Sequence, residues 1–395
     1  MQDNANKGLT KMIELVKNGR PFYVKPYEQP KVWGVNGIGE YWYGAESGEK
    51  SSLAVSGETE CKMDVLLETV PEELLGKNVI AAFGKMLPLV KVLTPKGRLS
   101  VQFHDAKNEL WIVTGLDRSA TDKIPSIIVG FSSESVDKYG KEVTEHYGKA
   151  LLFYGKTLND LIGAIEDSGN KGLLEEKKDV IKAAEVVMDK EDTVSELYKA
   201  LKAADKEVGF FYNYREVNVG DVIPVPAGTL HALGPGVEIV EPQIPGPTQS
   251  LEDGANYPVR YYFPGFERPG AQKALDTGRV TEMHPEVVKE EAPELIDKLE
   301  GKYIFERLPG NFEDKGLEVH RIILENEVII KKQDIESFHT LTLVKGKASV
   351  KTKSGIYEVP KAGAGGEMLF IPAATGDYEI VSEGQTEIID TFTPV

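Results

Sequence analysis

Between Pro21 and Gly115 the chain runs in short stretches of β-branched and aromatic residues alternating with polar ones, each stretch cut off by Gly or Pro. A period of two sends successive side chains to opposite faces, so the pattern predicts strands joined by turns. Residues 9–18 form a brief exception, where Leu9, Met12, Ile13 and Val16 fall on one face of a helix. Residues 155–207 are a longer one. Leu158, Leu161, Ile162 and Ile165 recur at helical spacing with Thr157 placed to cap them, and Thr193 with Glu196 forms a capping box opening a helix that carries Leu197 and Leu201. The strand pattern returns at Gly209 and the first unit closes near Phe263; a second strand-rich unit runs from about residue 300 to Val395. The expectation is a mainly β protein with a helical insertion.

Two of the strand segments end in metal-ligand chemistry. In SVQFHDAKNELWIVTG, residues 100–115, Gln102 and His104 are two apart and share a face, and Glu109 follows. GDVIPVPAGTLHALG, residues 220–234, supplies His231 just past a Pro-Ala-Gly turn. Two imidazoles, one carboxylate and one amide oxygen suit a divalent first-row metal such as zinc, with a position left for water or substrate. A lone histidine near a glutamate is more often structural. Here two framed segments occur in one chain, and that favours the metal.

The second unit repeats the spacing of the first. Gly366 and Pro372 stand where Gly220 and Pro226 do, which puts Asp377 in the His231 place. Counting back from Gly346 as the partner of Gly115 puts Thr340, Ile335 and Gln333 in the places of Glu109, His104 and Gln102. The repeat therefore keeps the strand spacing and lacks the ligands. His339 is one position out of register, so it is expected on the opposite face in a structural role. His146, His284 and His320 have no partners at ligand spacing and are expected at the surface.

Composition sets the outer bounds. The chain has 395 residues, 41% hydrophobic and 28% charged, which describes a globular protein of two or three units. A formal net charge of −17 argues against nucleic acid as a partner. The opening MQDNANKGLTKMIELVKNG has no apolar run of signal-peptide length, and no stretch reaches the length of a membrane span. The single cysteine, Cys61, allows no internal disulfide, so a cytoplasmic location is expected. Its acidic surroundings, SGETECKMD, make it a poor thiolate. No nucleophile elbow and no phosphate-binding glycine loop precedes a helix. The oligomeric state is not readable.

Gly220, Pro226, Gly228 and His231 at these spacings resemble the second motif of the cupin barrel family. Gln102, His104, Glu109 and Gly115 resemble its first motif, with glutamine in place of a usual histidine. Within that family, PLVKVLTPKGRLSVQFHDAKNELWIV resembles the first metal segment of type I phosphomannose isomerases at Lys91, Ser100, Gln102, His104, Lys107, Glu109 and Trp111. PYEQPKVWG with Trp33 and Gly34, VPAGTLHALGPGVEIVEPQ, and RYYFPGFERPGAQKALD resemble further pieces in the family's order. The likeness covers most of residues 20–280 and, more faintly, the rest.

The resemblance implies two cupin-like jelly-roll barrels with a helical insertion. A discontinuous catalytic barrel would take residues 1–150 and 208–275, the insertion 151–207, and a barrel without metal ligands 276–395. It implies one zinc ion per chain held by Gln102, His104, Glu109 and His231, a substrate side formed by Lys91 and Ser100, and an acidic residue, Glu241, near the reacting carbons. Lys107 shares a face with Glu109 and would serve phosphate contact or proton transfer. Lys96 and Arg98 read as ordinary solubilising residues. Two departures stand out. The arginine expected soon after Glu241 comes nineteen residues later, so the catalytic arginine is Arg260 or Arg268, and Arg260 in YPVRYYF fits the family strand better. Asp105 also replaces the proline usual after the metal histidine.

The implied reaction is an aldose-ketose interconversion of mannose 6-phosphate and fructose 6-phosphate. It needs a base for a carbon acid, stabilisation of enediolate oxygens and cations for a small-molecule sugar phosphate. A non-catalytic sugar-phosphate-binding cupin, an isomerase for a different sugar phosphate, and an iron-dependent cupin oxygenase are the alternatives. Lys91 and Lys107 argue against the last, because an oxygenase has no reason to hold a phosphate.

Overall fold

The strand Leu89–Leu93 is buried at every position, and Glu109–Leu116 is buried over its first five. Both belong to a wall covered on its two faces. The computed structural model describes residues 2–85, 87–97, 99, 101–103, 108–121, 124–177, 180–244, 257–260, 291–310, 312, 315–333, 335–361, 363 and 365–395. Within these, a six-stranded sheet runs in the order Val222–Val225, Glu109–Leu116, Val237–Gln243, Leu89–Leu93, Ile38–Tyr43, Tyr27–Val35. A five-stranded sheet runs Tyr212–Glu216, Ser126–Phe131, His231–Leu233, Val101–Phe103, Tyr257–Arg260. All their pairings are antiparallel. Leu93, Trp111, Val113, Val225 and Ile239 from the first sheet meet Ile127, Val129 and Leu233 from the second, which fills the barrel interior.

The alternate residues of the same strands bury outward. Val101, Phe103, Ile128 and Ala232 pack against the helices that run from Ser133 to Phe210. Tyr41, Tyr43, Val90, Val92 and Val240 pack against Met12 and Val16 of the helix Gln2–Lys17 and Leu66 and Leu74 of the short helices after it. Leu110 and Ile112 reach Leu308, Phe312 and Val319 of the second unit. Each such side chain contributes roughly 1.5–3 kcal/mol by leaving water. Two-sided burial is why these strands read as near-continuous apolar runs.

The helix starts differ from those expected. Thr157 lies inside the helix Val143–Ile165, where its Oγ1 donates back to the Phe153 carbonyl at 2.8 Å. The helix extends upstream because Tyr147 and Leu151 continue its apolar face, with Tyr147 edge-on to Phe131 at 5.4 Å between ring centroids. Asp192–Phe210 is preceded by Glu191 in the cap position, which puts Thr193 in the first turn instead of at the cap.

In the second unit a nine-stranded and a four-stranded sheet enclose Ile322, Leu341, Leu343, Leu369, Ile380 and Ile388. The larger sheet takes in three strands from the beginning of the chain, Phe22–Lys25, Leu53–Ser56 and Thr59–Lys62. Phe22 lies opposite Phe370, and their rings stack at 5.0 Å.

The structure of this barrel corrects three expectations. The pairing of His339–Lys345 with Thr386–Phe392 shifts between Leu343 and Lys345, as that of Val237–Gln243 with Glu109–Leu116 does between Glu238 and Ile239. The extra residue stands one place before Gly115 in the first barrel, at Thr114, and two places before Gly346 in the second, at Val344, so a count from the glycine misses by one. Counted through it, His339 and not Thr340 takes the Glu109 place, and His339 faces the interior beside Leu341 and Leu343. Asp377 is exposed, while Tyr378 turns inward. His320 is buried, not at the surface, and pairs with Glu318.

His339 and Lys332 close on the fully buried Asp390 at 2.7 and 3.2 Å. Burial alone would push the Asp390 carboxyl up, but the charges of His339 and Lys332 outweigh it and hold it far below the usual carboxylate range. A depressed carboxyl contributes stability above its unfolded pKa of about 3.9 that fades as pH falls toward the folded value. Asp390→Ala strands two buried partners and is expected to cost about 3–5 kcal/mol. Urea unfolding at pH 7 and pH 3 checks this, with the gap between variant and parent narrowing at the lower pH.

Candidate functional site

The turn before His231 is tied to the strand that carries Glu109. Gly228 takes a φ of 81°, a left-handed conformation that favours glycine, and the Ala227 N–H donates to the Asn108 side-chain oxygen at 2.7 Å. His231 is the cross-strand partner of Gln102, so the two side chains share the interior face. Glu109 lies between Val225 on one neighbouring strand and Gln243 on the other.

His231 and Glu109 are 1% and 2% exposed. The His231 Nδ1–H donates to the Thr229 carbonyl at 2.7 Å. A carbonyl can only accept, so the neutral ring carries its lone pair on Nε2, the tautomer a metal-binding imidazole requires. That Nε2 lies 3.9 Å from the Glu109 Oε2. Two donors each about 2.1 Å from a tetrahedral ion would be about 3.4 Å apart, so a small inward adjustment satisfies one ion. Trp111 secures the carboxylate, its Nε1–H donating to the Glu109 Oε2 at 3.0 Å while its ring stands edge-on to His231 at 5.5 Å. Trp111→Phe keeps the ring and deletes the donor. On the zinc reading proposed below, it is expected to weaken metal binding about 10–100-fold, measured by competition with a chromogenic chelator.

A buried lysine sits beside this pair. Lys91 and Glu241 are cross-strand partners, with Nζ 3.4 Å from the carboxylate. On its other side Lys91 pairs with Trp42 and lies 5.2 Å from the ring centroid. Burial works against the Lys91 charge, yet the carboxylates of Glu241, Glu40 and Glu109 outweigh it and raise its pKa above the ordinary lysine value. Burial likewise pushes Glu40 up, and Lys91 and Lys31 more than compensate, so its carboxyl titrates below its usual range. Lys31 lies 3.0 Å from Glu40 and the Trp42 Nε1–H donates to it at 2.7 Å.

The interior thus has an apolar end and a polar end. Lys91, Gln102, Glu109, His231 and Glu241 converge on the polar end, as their face and register require. His104, Ser100 and Lys107, together with Asp105 and Arg268, lie outside the described residues. Arg260 closes the strand Tyr257–Arg260, whose backbone pairs with Val101–Phe103, next to Gln102. Sequence reasoning passed over Glu40 and Trp42. The signal was present: Glu40-x-Trp42 and Glu109-x-Trp111 are the same clamp, an indole donating to the carboxylate two residues before it.

Among the described residues no three His, Cys, Asp or Glu side chains gather as a metal site, the predicted fourth ligand His104 being outside them. The described donors fit zinc in kind: an oriented neutral imidazole, a carboxylate held by an indole, and an amide on the same face. Burial, with Asp64 adding to it, pushes the Cys61 thiol up to about 12, which fits its reading as an inert thiol. No described helix is long and apolar enough to cross a membrane.

No family model matches the chain, and no curated protein sequence matches it. Solved structures do. The mannose 6-phosphate isomerase of Bacillus subtilis superposes with a TM-score of 0.60 at 17% identity, over 94% of this chain and 99% of that one. The chain has the fold of the phosphomannose isomerases. A single-residue variant of the Salmonella typhimurium phosphomannose isomerase gives a TM-score of 0.60 at 15% identity over 95% and 100% of the two chains. A zinc-bound mannose 6-phosphate isomerase gives 0.59 at 15% over 95% and 100%. The shared fold therefore includes the second barrel and the helices between the strands of the first.

Proposed function

We propose that the protein is a zinc-dependent isomerase that interconverts mannose 6-phosphate and fructose 6-phosphate. The observation that carries this reading is the pairing, in one barrel interior, of an oriented His231 beside Glu109 with the charged Lys91 beside Glu241. Such a site supports both an electrophile and an anionic substrate, and the fold is one in which solved isomerases are known.

Gln102, His104, Glu109 and His231 would hold the zinc, which acts as a Lewis acid on the oxygens of the open-chain sugar. Burial among carboxylates keeps Lys91 protonated at any physiological pH, so it offers a fixed positive charge to the sugar phosphate, with Ser100 as a hydrogen-bond donor. Proton transfer between C2 and C1 falls to Glu241 or Lys107. Arg260 would be the arginine that stabilises the negative charge developing on the enediolate oxygens. Trp42 and Trp111 close the site with rings and fix Glu40 and Glu109 through their N–H groups.

The test is a coupled assay on protein stripped by chelator and then restored with zinc, with bound metal quantified. Activity with mannose 6-phosphate should return at one zinc per chain. Zinc binding without formation of fructose 6-phosphate would sink the substrate assignment. Turnover of another aldose phosphate in the same samples would point to the second reading, an isomerase for a different sugar, which the Asp105 replacement favours.

A further inference from the structure

Gln243 is the last residue of the strand Val237–Gln243, two after Glu241 and directly opposite Glu109. Residues two apart share a face, and so do cross-strand partners, so both relations put the Gln243 side chain on the interior face of the barrel. It is 3% exposed, and its Oε1 has no hydrogen-bond partner among the described residues. The three carboxylates at this end are engaged: Glu109 by Trp111, Glu40 by Trp42 and Lys31, Glu241 by Lys91. A buried acceptor left unsatisfied is disfavoured, and native proteins keep few of them without a functional reason.

We infer that Gln243 is a substrate-specificity residue, its amide oxygen accepting a hydrogen bond from a hydroxyl of the bound sugar phosphate. This rests on the isomerase reading above and deepens it. A site that pairs with a substrate hydroxyl rejects a ligand lacking that hydroxyl, because the protein acceptor is then left buried and unpaired. The polar end of the barrel contains three carboxylates, which cannot donate, so an acceptor here calls for a ligand rich in hydroxyl donors. A polyol phosphate meets that description.

The decisive comparison is Gln243→Met, close in size and without a strong acceptor, with Gln243→Glu as a second variant that restores an acceptor. Zinc-loaded full-length proteins are compared in three measurements: zinc affinity by chelator competition, binding of the unreactive hexitol 6-phosphates sorbitol 6-phosphate and mannitol 6-phosphate by calorimetry, and steady-state kinetics. The proposal expects Gln243→Met to bind zinc within about twofold of the parent and at least one hexitol phosphate about tenfold more weakly, with a matching rise in KM. Gln243→Glu should recover part of that binding. Unchanged hexitol-phosphate affinity in a folded Gln243→Met protein would overturn the assignment alone. A tenfold loss of zinc affinity would overturn it by making Gln243 part of the metal site. If the parent itself binds neither hexitol phosphate, the isomerase reading fails and takes this inference with it.

Discussion

On the proposed function, Glu109→Ala is expected to abolish turnover and to lose the metal. The carboxylate is buried beside His231 and held by Trp111, between Val225 and Gln243 on the neighbouring strands. Removing it takes away an anionic ligand and leaves the Trp111 N–H without its acceptor. A Lewis acid worth several kcal/mol at the transition state corresponds to about a 10³-fold fall in kcat/KM, or more. Bound zinc counted by atomic spectroscopy after dialysis against a weak chelator should fall in parallel. Retention of metal with normal turnover would show that Glu109 is only a structural partner of Trp111 and His231. Trp111 and Val225 of the barrel interior adjoin Glu109, so a far-ultraviolet spectrum is taken to check that the variant is folded.

Lys91→Met is expected to be strongly destabilising and, on the proposed function, to injure substrate binding as well. It leaves Glu241 and Glu40 buried with a missing cation, and Glu109 close by feels the same loss. Breaking a buried ion pair from one side costs about 3–5 kcal/mol. The pH dependence has a definite sign. Glu40, depressed in the folded protein, contributes stability above its unfolded pKa of about 4.3 that is lost as pH falls through the folded value. Lys91, raised in the folded protein, contributes stability that is complete below its unfolded pKa of about 10.4 and lost as pH rises through the folded value. The variant should therefore lie furthest below the parent between these limits and approach it as the medium becomes strongly acidic. Thermal unfolding at pH 4, 7 and 9 measures this, and equal melting at pH 7 would sink it. Lys91→Arg separates the roles, because a retained charge should recover much of the stability while KM for the sugar phosphate remains raised.

Part of the candidate site was legible because a strand places alternate residues on one face, which set Gln102 with His104 and Lys107 with Glu109, and the glycine and proline of its turn announce His231. Lys91, Trp111 and Glu241 entered only through the family resemblance. Glu40 and Trp42 were missed because an acidic residue in a strand ordinarily marks the solvated side. Only the neighbouring strand, with Lys91 opposite Trp42, turns that reading round. The second barrel taught the reverse lesson. Both barrels carry a bulge in this strand, but it stands one residue before Gly115 in the first and two before Gly346 in the second, which moves the interior positions of that strand by one. That is how His339 came to the inside.

The sequence by itself determined the periodicities: strands in two units, helices between them, and two ligand-bearing segments whose spacing matched the fold that the solved isomerases share. Local pattern suffices for these, since alternation, turn glycines and helical spacing depend on residues a few positions apart. The tertiary structure decided which strands became neighbours. Phe22 pairs with Phe370 across nearly the whole chain, and three early strands complete the sheet of the last barrel. It also decided which charged groups would share one buried space, bringing Lys91, Glu40, Glu241 and Glu109 together from four strands. No local period encodes either result. Long-range pairing is selected by the fit of whole apolar faces, and the ionic balance at the polar end exists only once those faces have closed.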